Sequence, residues 1–190
     1  MGPSIRFARI ATVFSTSMFR NAPASIDTAR VTMATVNPVN LKAFVTPDRV
    51  ILGLDAEDRS AAFEQLVEPL IAGDIVVDKA LFLEDLERRE TEYTTMTDNG
   101  IAIPHARSHA VRRLGISIGL VSGEGIQFDP KSDTRCQLLF CIAVPAFAPT
   151  SHMPLLQAVA KFARDTKRVE KILLSKTRAV AARYLASYKG

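Results

Sequence analysis

The sequence contains little cysteine, and this scarcity excludes some classes of protein. Its 190 residues hold two cysteines, Cys136 and Cys141. They lie five residues apart in one apolar run, and on a strand this odd spacing turns the two side chains to opposite faces. We therefore expect no bond between them. Two unpaired thiols argue against a secreted disulfide scaffold and a cysteine-based zinc site, and they favour a cytoplasmic location.

Long hydrophobic runs are missing as well. Charged residues interrupt every apolar segment before it reaches the roughly 18 residues of a membrane-spanning helix. Hydrophobic residues still make up 47% of the chain and charged residues 23%, which is typical of a globular domain and not of a disordered chain. We expect one folded domain without membrane insertion.

Acidic residues are scarce only near the N-terminus. Residues 1–32 carry four arginines against Asp27, whereas the rest of the chain has 20 basic and 19 acidic residues. The net charge of +4 therefore does not indicate a basic face for phosphates, and we expect no nucleic-acid partner. Residues 1–40 are predicted to be an N-terminal extension. It is a poorly ordered tail, a transit-type segment, or the result of a translation start assigned too early, in which case Met33 is the alternative start.

The remainder, residues 45–188, is predicted to be one domain with strands in the middle of the sequence and helices on either side. Apolar runs of strand length occupy 50–54, 100–103, 114–121 and 137–144. Five helices are predicted. The first has Asp55 as its N-cap and ends at Gly73, and the third begins near Pro154; the others occupy 78–90, 167–174 and 178–187. This order predicts an α/β fold with a mixed central β-sheet flanked by helices, without the regular alternation of a doubly wound fold.

Familiar catalytic and nucleotide-binding motifs are absent or misplaced. The string Gly115–Gly119 matches the G-x-S-x-G of serine hydrolases, but Ser117 lies inside an apolar strand and not on a sharp turn. No phosphate-binding glycine loop occurs, so nucleotide binding has no support. A metal site is also disfavoured. His105 and His109 would share one face of a helix, but Pro104 argues against a helix here, and no further ligands complete a set. His109 is interpreted as a surface histidine.

His105 has the position of a functional side chain. It follows a short apolar strand and Pro104, which hold it at the edge of a sheet. A neutral imidazole is a competent nucleophile, and phosphoryl transfer to it needs positive groups around the phosphoryl oxygens. Arg89 and His152 are candidates for these groups, His152 because it precedes a helix N-terminus. The alternative for Arg89 is a cation that only stabilises the end of its own helix.

Three segments together resemble a known family. They are Arg89-Glu90, N-G-I-A-I-P-H at 99–105, and S-H-M-P-L-L-Q at 151–157. They resemble the IIA domain of the fructose/mannitol class of the bacterial phosphoenolpyruvate:sugar phosphotransferase system (PTS), most closely its nitrogen-regulatory branch. The resemblance covers 50–187. It implies that His105 is the phosphorylated histidine, that His152 is the second active-site histidine, and that Arg89 is the arginine that balances the negative charge of the phosphoryl group.

The resemblance also implies partners and one departure. The phosphoryl donor would be a phosphohistidine carrier protein of the PTS, the regulated partners would be proteins such as kinases or transporters, and no cofactor or metal would be needed. The chain would be a phosphoryl carrier without an attached IIB or IIC domain. The family's glycine-rich stretch before the motif is replaced by Thr94–Asp98. Met96 and Asp98 are expected to stiffen this loop, and Asp98 to add negative charge near the phosphoryl group.

Three functions remain open from the sequence. The main hypothesis is a nitrogen-regulatory IIA protein whose phosphorylation state controls other proteins. The second is a sugar-specific IIA component that passes phosphate to a cysteine of a IIB domain during uptake. The third is a protein-binding module whose histidine site no longer transfers phosphate.

Overall fold

A computed structural model describes residues 41–188 of the chain. The predicted N-terminal extension lies outside the described residues. Two short 3-10 turns, Leu41–Ala43 and Pro47–Arg49, precede the regular elements. The strands are β1 (Val50–Leu54), β2 (Ile101–Ala102), β3 (His105–Ser108), β4 (Gly115–Val121) and β5 (Leu138–Pro145). The helices are α1 (Arg59–Ala72), α2 (Lys79–Glu92), α3 (Met153–Arg164), α4 (Thr166–Leu173) and α5 (Arg178–Ala186).

The five strands form one mixed sheet. Its order is β1, β4, β5 and then an edge at which both β2 and β3 pair with β5. The β4–β5 pair is antiparallel, and all other pairs are parallel. The predicted mixed sheet with flanking helices is confirmed. Within residues 41–188, no helix combines the length and apolar content that crossing a membrane requires.

Helices cover both faces of the sheet, and alternate side chains of each strand enter one layer or the other. On β5, Leu138, Phe140, Ile142 and Val144 pack with α3, α4 and α5. The intervening Leu139, Cys141 and Ala143 pack with α1 and α2. Because both faces are covered, β5 is apolar along its whole length, which is why it reads as a continuous hydrophobic run.

Helix α1 begins later than predicted. Asp58 and not Asp55 is the N-cap, and its carboxylate accepts a hydrogen bond from the Ala61 amide at 2.9 Å. Both aspartates suit the role, and the chain first has to leave β1 before it can turn into the helix. The helix ends at Gly73 as predicted.

The expected orientation of the two cysteines is wrong. Cys136 lies before β5, where it pairs with Ile126, and its side chain enters the same layer as that of Cys141. Strand alternation does not extend to Cys136 because it precedes the regular ladder. Both cysteines are free and buried.

Candidate active site

The edge of the sheet places His105. Gly100 lies just before β2 and has a φ of 73°. A Cβ at this position would lie 2.6 Å from the Arg135 carbonyl oxygen, so only glycine allows the two backbone segments to come this close. Pro104 has no amide hydrogen to donate, and it divides the edge into β2 and β3. His105 then starts β3 opposite Ile142, with its ring half-buried.

The His105 ring is oriented by the backbone just before it. Nδ1 lies 2.8 Å from the Ile103 carbonyl oxygen. A carbonyl only accepts hydrogen bonds, so we assign the proton to Nδ1, which leaves the lone pair on Nε2. Burial lowers the pKa of His105 below the usual 6.5, and the charge of Arg89 adds to this, while the Ile103 carbonyl and Glu90 act in the opposite direction. The ring is therefore neutral near pH 7.

His152 lies beside His105 at the start of α3. It is the residue before Met153, and Pro154 occupies the first turn of the helix as predicted. The two imidazole rings are stacked, with centroids 5.9 Å apart and planes inclined by 29°. Burial lowers the pKa of His152, and the charges of His105 and Arg107 lower it further, against the effect of the Pro149 carbonyl. The site therefore presents two adjacent neutral imidazoles.

Arg89 lies in the last turn of α2, and its guanidinium is already engaged. Nη1 donates to the Tyr93 carbonyl oxygen at 2.8 Å, as expected of a cation that stabilises a helix C-terminus. Its charge also lowers the pKa of His105, so it acts on the site as well. The structure thus stacks the two histidine rings beside each other, and it places Arg89 within electrostatic reach of His105.

Glu90 has a role that the sequence did not reveal. Its carboxylate is buried, and it accepts hydrogen bonds from the Thr95 amide at 2.5 Å and from the Thr95 hydroxyl at 2.7 Å. These bonds fix the start of the loop Thr94–Asp98. Asp98 is exposed, and the negative charge that acts on His105 comes from Glu90.

Arg107 is a second residue that sequence reasoning missed. It follows His105 by two positions on β3, so both side chains leave the same face of the strand. Its charge lowers the pKa of His152. The period of two after His105 was the available signal, but β3 was not predicted as a strand.

Other candidates stay outside the site. Ser117 is fully buried in β4, and its hydroxyl donates to the Leu66 carbonyl oxygen at 2.7 Å, which rules out the hydrolase motif. His109 lies on an exposed turn. Among residues 41–188, no three histidine, cysteine or acidic side chains are grouped as a metal site requires.

Comparison with known proteins assigns the chain to a family. The family of EIIA 2 domains from the phosphoenolpyruvate-dependent sugar phosphotransferase system matches residues 43–188. The chain belongs to this family. The family resemblance seen in the three sequence segments is thereby confirmed.

Relatives of this IIA domain include both functional types. A fructose-specific EIIA component of Haloferax volcanii is 30% identical over 154 residues, which cover 81% of this chain and 94% of that protein. A nitrogen regulatory protein of Pseudomonas aeruginosa is 30% identical over 123 residues, covering 64% and 79% respectively.

A solved structure shares the fold of the IIA domain. The complex of mannitol IIA with phosphorylated IIB from Escherichia coli matches with a TM-score of 0.66 and 19% identity, covering 76% of this chain and 98% of that one.

Proposed function

We propose that this IIA domain accepts a phosphoryl group on Nε2 of His105 from a phosphohistidine carrier protein, and that its phosphorylation state regulates partner proteins such as kinases or transporters. The observation that carries the proposal is the contact between Nδ1 and the Ile103 carbonyl, because it leaves the lone pair of a neutral imidazole on Nε2. The protein would act as a phosphoryl carrier, and the free thiols of Cys136 and Cys141 suit the reducing cytoplasm.

The transfer exchanges one nitrogen–phosphorus bond for another. The Nε2 lone pair of His105 attacks phosphorus, and the bond to the donor's imidazole nitrogen breaks with its electron pair returning to that nitrogen. The Nδ1 proton of His105 stays directed at the Ile103 carbonyl throughout. His152, whose ring stacks on that of His105, would donate a hydrogen bond to a phosphoryl oxygen, and Arg89 would supply positive charge.

The regulatory type is favoured by the sequence segments and by the nitrogen regulatory relative. The test starts with the full chain, labelled phosphoenolpyruvate and the two general phosphotransfer proteins. We expect acid-labile label on the chain, and none when the carrier protein is omitted. If no label is acquired, the proposal is wrong and the protein-binding module becomes the better hypothesis.

A second candidate is sugar uptake, which the fructose-specific relative favours through its greater coverage of this chain. In that case the labelled chain should pass phosphate rapidly to the cysteine of a fructose- or mannitol-type IIB domain. The regulatory proposal predicts slow or no transfer to IIB, and instead a change in partner binding when His105 is phosphorylated. Gene neighbours give an independent check: sugar permease subunits favour uptake, and a nitrogen sigma factor favours regulation.

A further inference from the structure

The loop between β5 and α3 carries His152, and its position decides whether the two imidazoles can stack. Internal hydrogen bonds shape the loop, including Ala148 amide to Pro145 carbonyl and Ser151 amide to Ala148 carbonyl, both at 3.1 Å. Such bonds fix the form of the loop but not its distance from β3. That distance depends on contacts between the loop and the strand itself.

Two contacts join this loop to β3. The Ala146 amide donates to the Ser108 carbonyl at 3.1 Å, at the start of the loop. Arg107 Nη2 donates to the Pro149 carbonyl at 3.4 Å, three residues before His152. The second contact is long, but its donor is charged and it acts on the part of the loop nearest the imidazole.

The Pro149 carbonyl is also near the His152 ring, where it favours the protonated form. Nδ1 of His152 is buried, and among residues 41–188 it has no partner that meets hydrogen-bond geometry. The Pro149 carbonyl thus lies near both groups, and of the two only the Arg107 guanidinium donates a hydrogen bond to it that meets the geometric criteria. The charges acting on His152 are those of His105 and Arg107, and those acting on His105 are Arg89 and Glu90.

We propose that Arg107 is a positioning residue of this site: by holding the Pro149 carbonyl, it keeps the loop that carries His152 in place and the His152 ring stacked on His105. The effect on phosphoryl transfer rests on the proposed function, whereas the effect on His152 does not. Loss of the guanidinium would leave the imidazole as the remaining donor near this carbonyl and would remove a repulsive charge. Both changes favour protonation of His152 and movement of its ring away from His105.

The test replaces Arg107 by Ala in the full chain, with Arg178→Ala as the matched control. Arg178 is exposed at the start of α5 and carries the same charge. The titration of His152 is followed by NMR, with the exposed His109 as internal reference and His105→Gln to assign the signals. Labelling by phosphoenolpyruvate gives the rate of transfer in the same variants. Arg107→Lys keeps the charge and one donor.

We expect His152 to titrate at higher pH in the Arg107→Ala variant than in the wild type. We also expect this variant to be labelled roughly 10- to 100-fold more slowly, because small misplacements of groups around a reaction have effects of this size. Arg178→Ala should match the wild type in both measurements, and Arg107→Lys should recover most of both. An unchanged His152 titration in Arg107→Ala would overturn the proposal, even with slow labelling, because Arg107 would then act on the donor protein. Absence of label on the wild type would overturn the proposed function, and the titration would still decide the role of Arg107.

Discussion

Two groups of reactive side chains lie on neighbouring parts of the sheet, and only one has the surroundings that chemistry needs. Ser117 and Cys141 face each other across β4 and β5 in the interior. His105 and His152 meet at the sheet edge, beside a loop. A search for the G-x-S-x-G string by itself would select the first group, although its serine lies inside a strand.

The difference lies in burial and charge. Complete burial raises the pKa of the Cys141 thiol to about 12, and the Ser117 hydroxyl is occupied by the Leu66 carbonyl. Partial burial of His105 has the opposite outcome for reactivity, because it lowers the pKa of a base and so preserves the neutral nucleophile. The same physical effect thus inactivates a thiol and prepares an imidazole.

The largest expected effect separates the two groups directly. His105→Gln should abolish covalent labelling by the phosphotransfer proteins, because an amide cannot form a phosphohistidine. Ser117→Ala serves as control and should be labelled like the wild type. Full labelling of the His105 variant, measured as acid-labile radiolabel on the chain, would move the acceptor to another residue.

His152→Gln should be labelled more slowly, by roughly 10- to 100-fold, since the nucleophile remains but a hydrogen-bond donor to the phosphoryl group is weakened. The measurement is the initial rate of labelling at saturating donor. Complete loss of label in this variant, together with normal labelling of His105→Gln, would reverse the roles of the histidines.

Arg89→Lys tests whether this residue only stabilises the end of α2. The ammonium keeps the charge but not the planar fork, so labelling should slow by about 10-fold or more. A role confined to the helix end would instead lower the melting temperature slightly and leave the labelling rate unchanged. Measuring both quantities on the same sample distinguishes the two, with Arg178→Lys as the control.

Ser117→Ala should affect stability and not transfer. Removing the hydroxyl breaks its bond to the Leu66 carbonyl, at a cost of about 1 kcal/mol, or about 2–4 °C in melting temperature for a domain of this size. If Ser117→Ala is as stable as the wild type but cannot be labelled, Ser117 takes part in the transfer and its assignment as a structural residue is wrong.

The smallest expected effect concerns pH. The folded state lowers the pKa of His105 below 6.5, so the unfolded chain binds more protons as the pH falls past this value, and the free energy of unfolding decreases. The wild type should therefore lose more stability than His105→Gln between about pH 7 and about pH 5, as measured by denaturant unfolding. Equal losses in the two proteins would show that His105 is not desolvated in solution.

Much of the site could be predicted from local sequence. The strand, Pro104 and His105 follow one another along the chain, and Pro154 marks the helix that begins next to His152. These signals are short in range, because backbone restriction by proline and strand length act on neighbouring residues. The contributions of Glu90 and Arg107 could not be found in this way. Glu90 accepts a hydrogen bond from Thr95, five residues later in the chain, and Arg107 donates one to the Pro149 carbonyl, 42 residues later.

The sequence by itself determined which residue types were available and, apart from β3, which segments became strands and helices. It also determined the family, through a motif whose glycine is required by the backbone at the sheet edge. Only the tertiary structure decided that α1 starts at Asp58, that Cys136 faces the same layer as Cys141, and that His152 stacks on His105. The physical reason is that local propensity acts along the chain, whereas burial, charge and hydrogen bonding act through space.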